Sequence, residues 1–196
     1  IQTTPLQLCL MTAQIANGGY KIKPHIIKND TINYNDIINK IKLDRSNFPL
    51  HERNYLDDIN IEYYQRMYHK KSNINFVLDA MFGSTNEQYG TSYRSRYDDP
   101  KYQFAGKTGT SQVRRITDLD RELDLDTEQI EYKKRDHALY VAFAPYKNPR
   151  YAISVIIEHG GSGSKAAAPL ASKLIKRIID RHKLREQISN GDSSLA

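Results

Sequence analysis

At 196 residues, 39% of them hydrophobic and 27% charged, the chain is long enough to bury the core of one domain or of a large part of one. Its net charge of +6 arises from 29 basic residues interspersed with 23 acidic ones; no uninterrupted basic block accompanies a nucleic-acid motif, so the charge reads as a solvated surface with a basic bias. The single cysteine, Cys9, excludes an internal disulfide and a multi-cysteine zinc site, and no run approaches the roughly 18 apolar residues that cross a bilayer.

The chain opens at Ile1 with neither an initiator methionine nor a signal peptide, so it is either processed or a piece of a longer protein, and the motifs described below favour the second. Thr4 as cap and Pro5 in the first turn start a helix. Leu6, Cys9, Leu10, Ala13 and Ala16 form its buried stripe, and Asn17-Gly18-Gly19 stops it. Cys9 on that stripe is expected as a small buried thiol. Tyr20 to Ile27 is a short extended segment broken by Pro24, and residues 28–58, rich in Asn and Asp without a sustained period, form an irregular insertion. A helix is predicted over 59–68. A second begins with Asn75 as cap, turns Phe76, Val77, Ala80 and Met81 inward and ends by Gly83.

Residues 90–100 read as loop and 102–116 as the central strand. The charged stretch 117–135 reads as an exposed connection with a short helix from Thr127. Two apolar, β-branched and aromatic runs, 137–144 and 151–157, flank Pro145-Tyr146-Lys147-Asn148-Pro149 as a β-hairpin with a five-residue loop. Gly160-Gly161-Ser162-Gly163 ends the second strand, and 166–182 is an amphipathic helix with Leu170, Leu174, Ile175, Ile178 and Ile179 facing in. The tail from Ser189 to Ala196 is polar and frayed. Helices packed on an antiparallel sheet define the α+β class, with one domain over 1–188 carrying insertions at 28–58 and 117–135.

The stretch that carries chemistry is Phe104 to Val113. Lys107, Thr108, Gly109 and Thr110 set a cation, a hydroxyl and an uncrowded backbone along one strand, where a ligand can lie against Gly109 and the next N–H can meet a developing negative charge. Gly106-Lys107-Thr108 also ends like a phosphate-binding loop, but that loop needs a glycine where Lys101 stands and a helix after the lysine. The Lys-Thr-Gly element of penicillin-recognising serine enzymes accounts better for a strand that continues as Thr-Ser-Gln-Val.

Three stretches then resemble one family: Thr3-Thr4-Pro5-Leu6-Gln7-Leu8 with Ala16-Asn17-Gly18-Gly19; Ala105 to Val113; and Asp136-His137-Ala138 through Ala144-Pro145-Tyr146, Asn148-Pro149 and Ile157-Glu158-His159-Gly160-Gly161-Ser162-Gly163. Together they are similar to the C-terminal part of the transpeptidase domain of the class B penicillin-binding proteins, the penicillin-binding protein 2 family in particular. The likeness is poor over 28–58 and 114–134. It implies a partial serine β-lactamase-like fold and a part of a peptidoglycan D,D-transpeptidase working through a serine acyl-enzyme. Lys107 and Thr108 would hold the carboxylate of a stem peptide or of a β-lactam, Gly109 would keep the approach open, and the backbone N–H of Thr110 would be an oxyanion donor. It also implies no cofactor and no metal, peptidoglycan stem peptides, β-lactams and other cell-wall elongation proteins as partners, and a periplasmic domain on an inner-membrane anchor outside this chain.

The family places its nucleophile in a Ser-x-x-Lys motif, with a Ser-x-Asn motif between it and the Lys-Thr-Gly strand. Ser162-Gly163-Ser164-Lys165 and Ser84-Thr85-Asn86 fit those patterns in letters. The first follows the last strand, and the second ends a helix just before the turn at Gly90-Thr91-Ser92, so neither falls in the right order. The nucleophile is therefore expected upstream of Ile1, and the fragment is expected to be inactive alone. A non-catalytic module of the same fold, binding peptidoglycan or another protein, and a serine β-lactamase are the alternatives.

Other patterns carry less. The alternating acids from Asp118 to Asp126 lack the glycine and glutamate of a calcium loop, and the six histidines show no metal-ligand spacing. Asp136 and His137 are adjacent on a strand and point to opposite faces, which disfavours a triad. Tyr140, Phe143 and Tyr151 are expected to pack the sheet. The pair Arg114-Arg115 reads as a solvated basic stripe beside the motif.

Overall fold

Along His137–Ala144 nearly every side chain is apolar, on both faces of the strand, and such a strand must be covered from both sides. The computed structural model describes residues 2–24, 26, 66–114 and 127–189, of which 183–189 by backbone alone. In it, β1 (Ala105–Ser111), β2 (His137–Ala144) and β3 (Tyr151–Ile157) form an antiparallel sheet in the order β1-β2-β3. The register pairs Lys107 with Val141, Thr108 with Tyr140 and Gly109 with Leu139. On one face the buried Ala138, Tyr140, Ala142 and Ala144 join Phe104 and Val155 against Ala168, Ala171, Ile175 and Ile179. The last four belong to α3 (Ala168–Ser189). On the other face Ala105 and Phe143 meet Ala16 and Met81, which lie on α1 (Pro5–Ala16) and α2 (Lys71–Asn86). The α+β class and both hairpin strands are as the sequence predicts.

α1 is capped as its sequence dictates. Thr4 Oγ1 accepts from the Gln7 N–H while the Gln7 side chain accepts from the Thr4 N–H, satisfying two of the orphan donors at the helix start. Its inward face is narrower than the periodicity implies: Thr12 and Ala16 are buried, whereas Leu6 is 67% exposed. Thr12 tolerates burial because its hydroxyl donates to Leu8 O. Cys9 is half-buried rather than buried. Its thiol donates to Ala152 O at 3.4 Å, and burial pushes its pKa up, so it behaves as an inert packing group.

α2 starts four residues before Asn75, after Lys70, and runs through Gly83 to Asn86. The expected inward set turns over except at Met81. Phe76, Val77 and Ala80 are exposed, and the buried positions are Met81, Gly83 and Thr85. The last turn persists past the glycine because Asn86 Nδ2 donates both to Phe82 O and, across the gap, to Phe104 O. Thr85 Oγ1 and Ser92 Oγ each lie 3.0 Å from the Tyr140 hydroxyl, which is fully buried. Burial pushes the Tyr140 phenol up, so it remains a neutral hydroxyl. Tyr140→Phe would leave Thr85 and Ser92 short of a partner at no gain in packing. It is expected to cost about 1–3 kcal/mol in chemical denaturation, and an unchanged midpoint would show that this network contributes nothing.

The helix predicted over 59–68 lies outside the described residues up to position 65. Beyond that it is not helical, since Arg66 bridges Tyr20 as an antiparallel pair. The insertion at 28–58 and the stretch 115–126, with its alternating acids, also lie outside. The connection from Thr127 contains turns and one short 3-10 turn at Tyr132–Lys134 rather than a helix. The central strand is shorter than predicted because Pro100–Tyr102 is a 3-10 turn capped by Asp99.

α3 follows a π turn at Gly163–Ala167 and continues past the helix end read at position 182 to Ser189, where the tail was expected to start. Residues 190–196 lie outside the described ones. Leu170, Leu174 and Ile178 are more than a third exposed, not inward. The small residues Gly163, Ala167, Ala168 and Ala171 let the helix start lie close on the sheet, and that contact sets its rotation. Near its far end a polar staple fastens it. The Tyr102 hydroxyl and the ammonium groups of Lys101 and Lys176 all donate to Asp180, and together, Tyr102 first, they hold its carboxyl well below the usual carboxylate range. A depressed carboxylate contributes stability that is full above the unfolded-state pKa, about 3.9, and disappears as pH falls from there through the folded value. The wild type and Asp180→Asn are therefore expected to differ in urea midpoint at neutral pH and to converge in acid. A difference independent of pH would contradict this.

Candidate functional site

The chemistry-bearing residues sit on β1, an edge strand of the described sheet. Which of its backbone groups face outward follows from two contacts. Asn86 Nδ2 donates to Phe104 O at 2.9 Å and Lys107 Nζ donates to Thr108 O at 3.0 Å, so these carbonyls point away from β2. In a strand, polar groups alternate between edges, so the N–H groups of Thr108 and Thr110 also face the open edge, while Lys107 and Gly109 pair with Val141 and Leu139.

Lys107 and Thr108 are neighbours in sequence, which sends their side chains to opposite faces. The long lysine bridges that separation by folding over the edge: its Nζ lies 3.3 Å from Thr108 Oγ1. An exposed ammonium, a half-buried hydroxyl and the exposed Thr110 thus line one strand edge. An ammonium and an adjacent hydroxyl can receive a carboxylate, and an outward N–H two residues on can stabilise an oxyanion. The phosphate-loop reading does not fit a lysine in mid-strand.

Glycines set the packing beneath this edge. A Cβ at Gly109 would stand 3.3 Å from Leu139 Cβ, and one at Gly106 would run into the buried Tyr140 ring. Gly163, at the start of the π turn, backs directly onto Gly109 and Leu139: a Cβ there would lie 2.6 Å from Gly109 O and 2.5 Å from Leu139 O. The turn that looked like a nucleophile motif therefore has a packing task. Ser162 Oγ and Ser164 Oγ bond each other at 2.9 Å, and Lys165 is exposed.

Ser84-Thr85-Asn86 does come to the strand, which sequence order did not suggest. Asn86 is committed to two backbone carbonyls and Thr85 to Tyr140. Ser84 Oγ lies 3.2 Å from Thr91 Oγ1, itself 3.2 Å from Thr108 Oγ1. Thr91 falls in the stretch that reads as loop, and only its place beside Gly90 in a tight turn hints at a fixed position.

The histidines are less scattered than their spacing suggests. His137 Nδ1 accepts from the His159 N–H at 2.9 Å, and His159 Nδ1 lies 3.0 Å from Arg135 O. His159 has a φ of 55°, so these contacts hold a strained turn after β3. Asp136 does not orient His137; its Oδ1 accepts from the Val113 N–H. Among the described residues no group of three or more His, Cys, Asp or Glu side chains is placed to hold a metal, and no helix is long and apolar enough to cross a membrane. Arg115 lies outside the described residues.

The family model for the penicillin binding protein transpeptidase domain matches residues 1–176. The peptidoglycan D,D-transpeptidase MrdA of Haemophilus influenzae is 31% identical over 178 residues, covering 91% of this chain and 24% of that protein. That of Acinetobacter baumannii is 32% identical over 171 residues, covering 85% and 21%. Among solved structures, a complex between penicillin-binding protein PBP2 and MreC from Helicobacter pylori superposes with a TM-score of 0.61 at 26% identity, covering 91% of this chain and 25% of that one. Pseudomonas aeruginosa PBP2 in complex with WCK 5153 gives 0.57 at 28% identity, covering 89% and 30%. The chain spans a quarter or less of the length of these two curated relatives.

Proposed function

The chain belongs to the penicillin-binding protein transpeptidase family, and we propose from this that residues 1–188 are the C-terminal portion of a peptidoglycan D,D-transpeptidase. The observation that carries the reading is the outer edge of β1, where the Lys107 ammonium, the Thr108 hydroxyl and the outward N–H of Thr110 share one line. Lys107 and Thr108 bind the terminal carboxylate of a donor stem peptide or of a β-lactam. The Thr110 N–H is one of the donors to the acyl oxyanion, worth about 3 kcal/mol in comparable sites, and the bare backbone at Gly109 lets the acyl group lie close.

The nucleophilic serine and its lysine come from a segment preceding Ile1. That assignment is supported by the packing tasks of the two internal serine motifs, one in the turn behind Gly109 and one at the end of α2. The acyl-enzyme is then resolved by the amine of a second stem peptide. In keeping with this reading, the intact protein is anchored in the bacterial inner membrane with this domain in the periplasm. It serves wall elongation and cell shape beside a partner of the kind found in complex with the Helicobacter pylori PBP2. The source gene tests this: a reading frame that continues upstream of the Ile1 codon through a Ser-x-x-Lys and then a Ser-x-Asn is expected. A frame without them would replace the enzyme by a binding module of the same fold.

A further inference from the structure

The hydroxyl of Thr108 does not stand alone, and its neighbours decide which way its proton points. Three oxygens form a chain along the site: Ser84 Oγ to Thr91 Oγ1 at 3.2 Å, and Thr91 Oγ1 to Thr108 Oγ1 at 3.2 Å. Lys107 Nζ stands 3.3 Å from the last of them. An ammonium only donates, so Lys107 occupies one lone pair of Thr108 Oγ1. A threonine hydroxyl has one proton and two lone pairs. If Thr108 gives its proton to Thr91, only a lone pair remains, which a ligand that accepts hydrogen bonds cannot use. If Thr91 gives its proton to Thr108, the second lone pair is filled and the Thr108 O–H turns to the open edge.

A carboxylate accepts hydrogen bonds and donates none. Its arrival at Lys107 therefore selects the second arrangement, with the donors running from Ser84 to Thr91 to Thr108 to the anion, each bond polarising the next. Thr91 is held for this task. The segment carrying it is pinned on one side by Gly90, whose N–H donates to Glu87 O at 2.8 Å, and on the other by Ser92, whose N–H and hydroxyl donate to Ser84 O at 3.0 and 2.9 Å and whose hydroxyl also meets the buried Tyr140. We propose that Thr91 is a positioning and specificity residue of the carboxylate subsite, the donor that turns the Thr108 hydroxyl toward the ligand, where its bond to an anion is stronger than one to a neutral acceptor. This rests on the reading of the β1 edge as a carboxylate subsite.

Thr91 is exposed, so valine, equal in shape and lacking the hydroxyl, is compatible with the fold. In the full-length protein, second-order acylation rates are measured for benzylpenicillin and for its methyl ester, in the wild type, Thr91→Val and Thr91→Ser. The wild type is expected to prefer the free acid. Thr91→Val is expected to lose about fivefold of that preference, the share of one hydrogen bond, the ester rate falling less than the acid rate because its carbonyl is a weaker acceptor, and Thr91→Ser is expected to restore it. An acid-to-ester ratio in Thr91→Val equal to that of a discriminating wild type overturns the role of Thr91 alone, as does an equal loss for both compounds. A wild type that does not discriminate overturns the carboxylate subsite itself, and the role of Thr91 with it.

Discussion

Lys107→Ala in the intact protein is expected to lower the second-order rate of acylation by benzylpenicillin by about 30- to 100-fold, the scale of one lost charge-assisted contact to a carboxylate. Lys107 is exposed and its Nζ contacts only Thr108 among the bonds described for it, so the folded state should not notice the change and thermal melting should be that of the wild type. The separation of the two readouts is the point of the experiment. Lys107→Arg keeps the charge but replaces a compact ammonium by a planar fork, and it should fall between the wild type and alanine. An acylation rate unchanged in Lys107→Ala would remove this residue from the site.

Gly163→Ala is expected to be among the most damaging single methyl additions at the described residues. The new Cβ would stand 2.5 Å from Leu139 O and 2.6 Å from Gly109 O, and these are backbone atoms of paired strands that cannot rotate aside. Either β1 and β2 part locally or the π turn lifts away from the sheet. Overpacking of this kind costs about 3 kcal/mol. Because the pressure falls on Gly109, the residue before Thr110, acylation should drop even at temperatures where the protein remains folded. Lys165→Ala, an exposed change in the same turn, should alter neither. A Gly163→Ala protein with the wild-type denaturation midpoint would mean that the turn can yield, and that Gly163 does not brace the strand.

Strand content and hairpin bounds were legible because alternation and turn residues are local signals. Pro145 to Pro149 between two β-branched runs left little choice. The inward faces of α2 and α3 were legible only at Met81, Ile175 and Ile179, and the reason is common to both. Phe76, Val77, Leu170, Leu174 and Ile178 are large and apolar, and hydrophobicity alone turns them inward. What turns the helices is close approach at small residues, Gly163, Ala167 and Ala171 on one side and hydrogen bonding by Thr85 and Asn86 on the other. Small and polar side chains carry almost no weight in a periodicity argument, so the helix rotations could be found only once the sheet they pack on was in place.

The site divides in the same way. Lys107, Thr108, Gly109 and Thr110 were visible as a contiguous motif on a strand. Their arrangement was not, since adjacent strand residues point apart and only the fold of the lysine over the edge brings its ammonium to the Thr108 hydroxyl. The contacts of Thr91 with Thr108 and with Ser84 were not legible, because they span 17 and 7 residues and leave no pattern in a single chain. The letter matches at Ser84 and Ser162 show the converse: a motif can be present as text while its atoms are bound elsewhere.

The most direct measurement is peptide mapping of the full-length protein after reaction with labelled benzylpenicillin. The expected result is a single adduct on a serine of a Ser-x-x-Lys motif N-terminal to Ile1, formed far more slowly when Lys107 is alanine. An adduct on Ser84, Ser162 or Ser164, or no adduct in a protein that is folded, would contradict the assignment of this chain as the Lys-Thr-Gly half of a transpeptidase site.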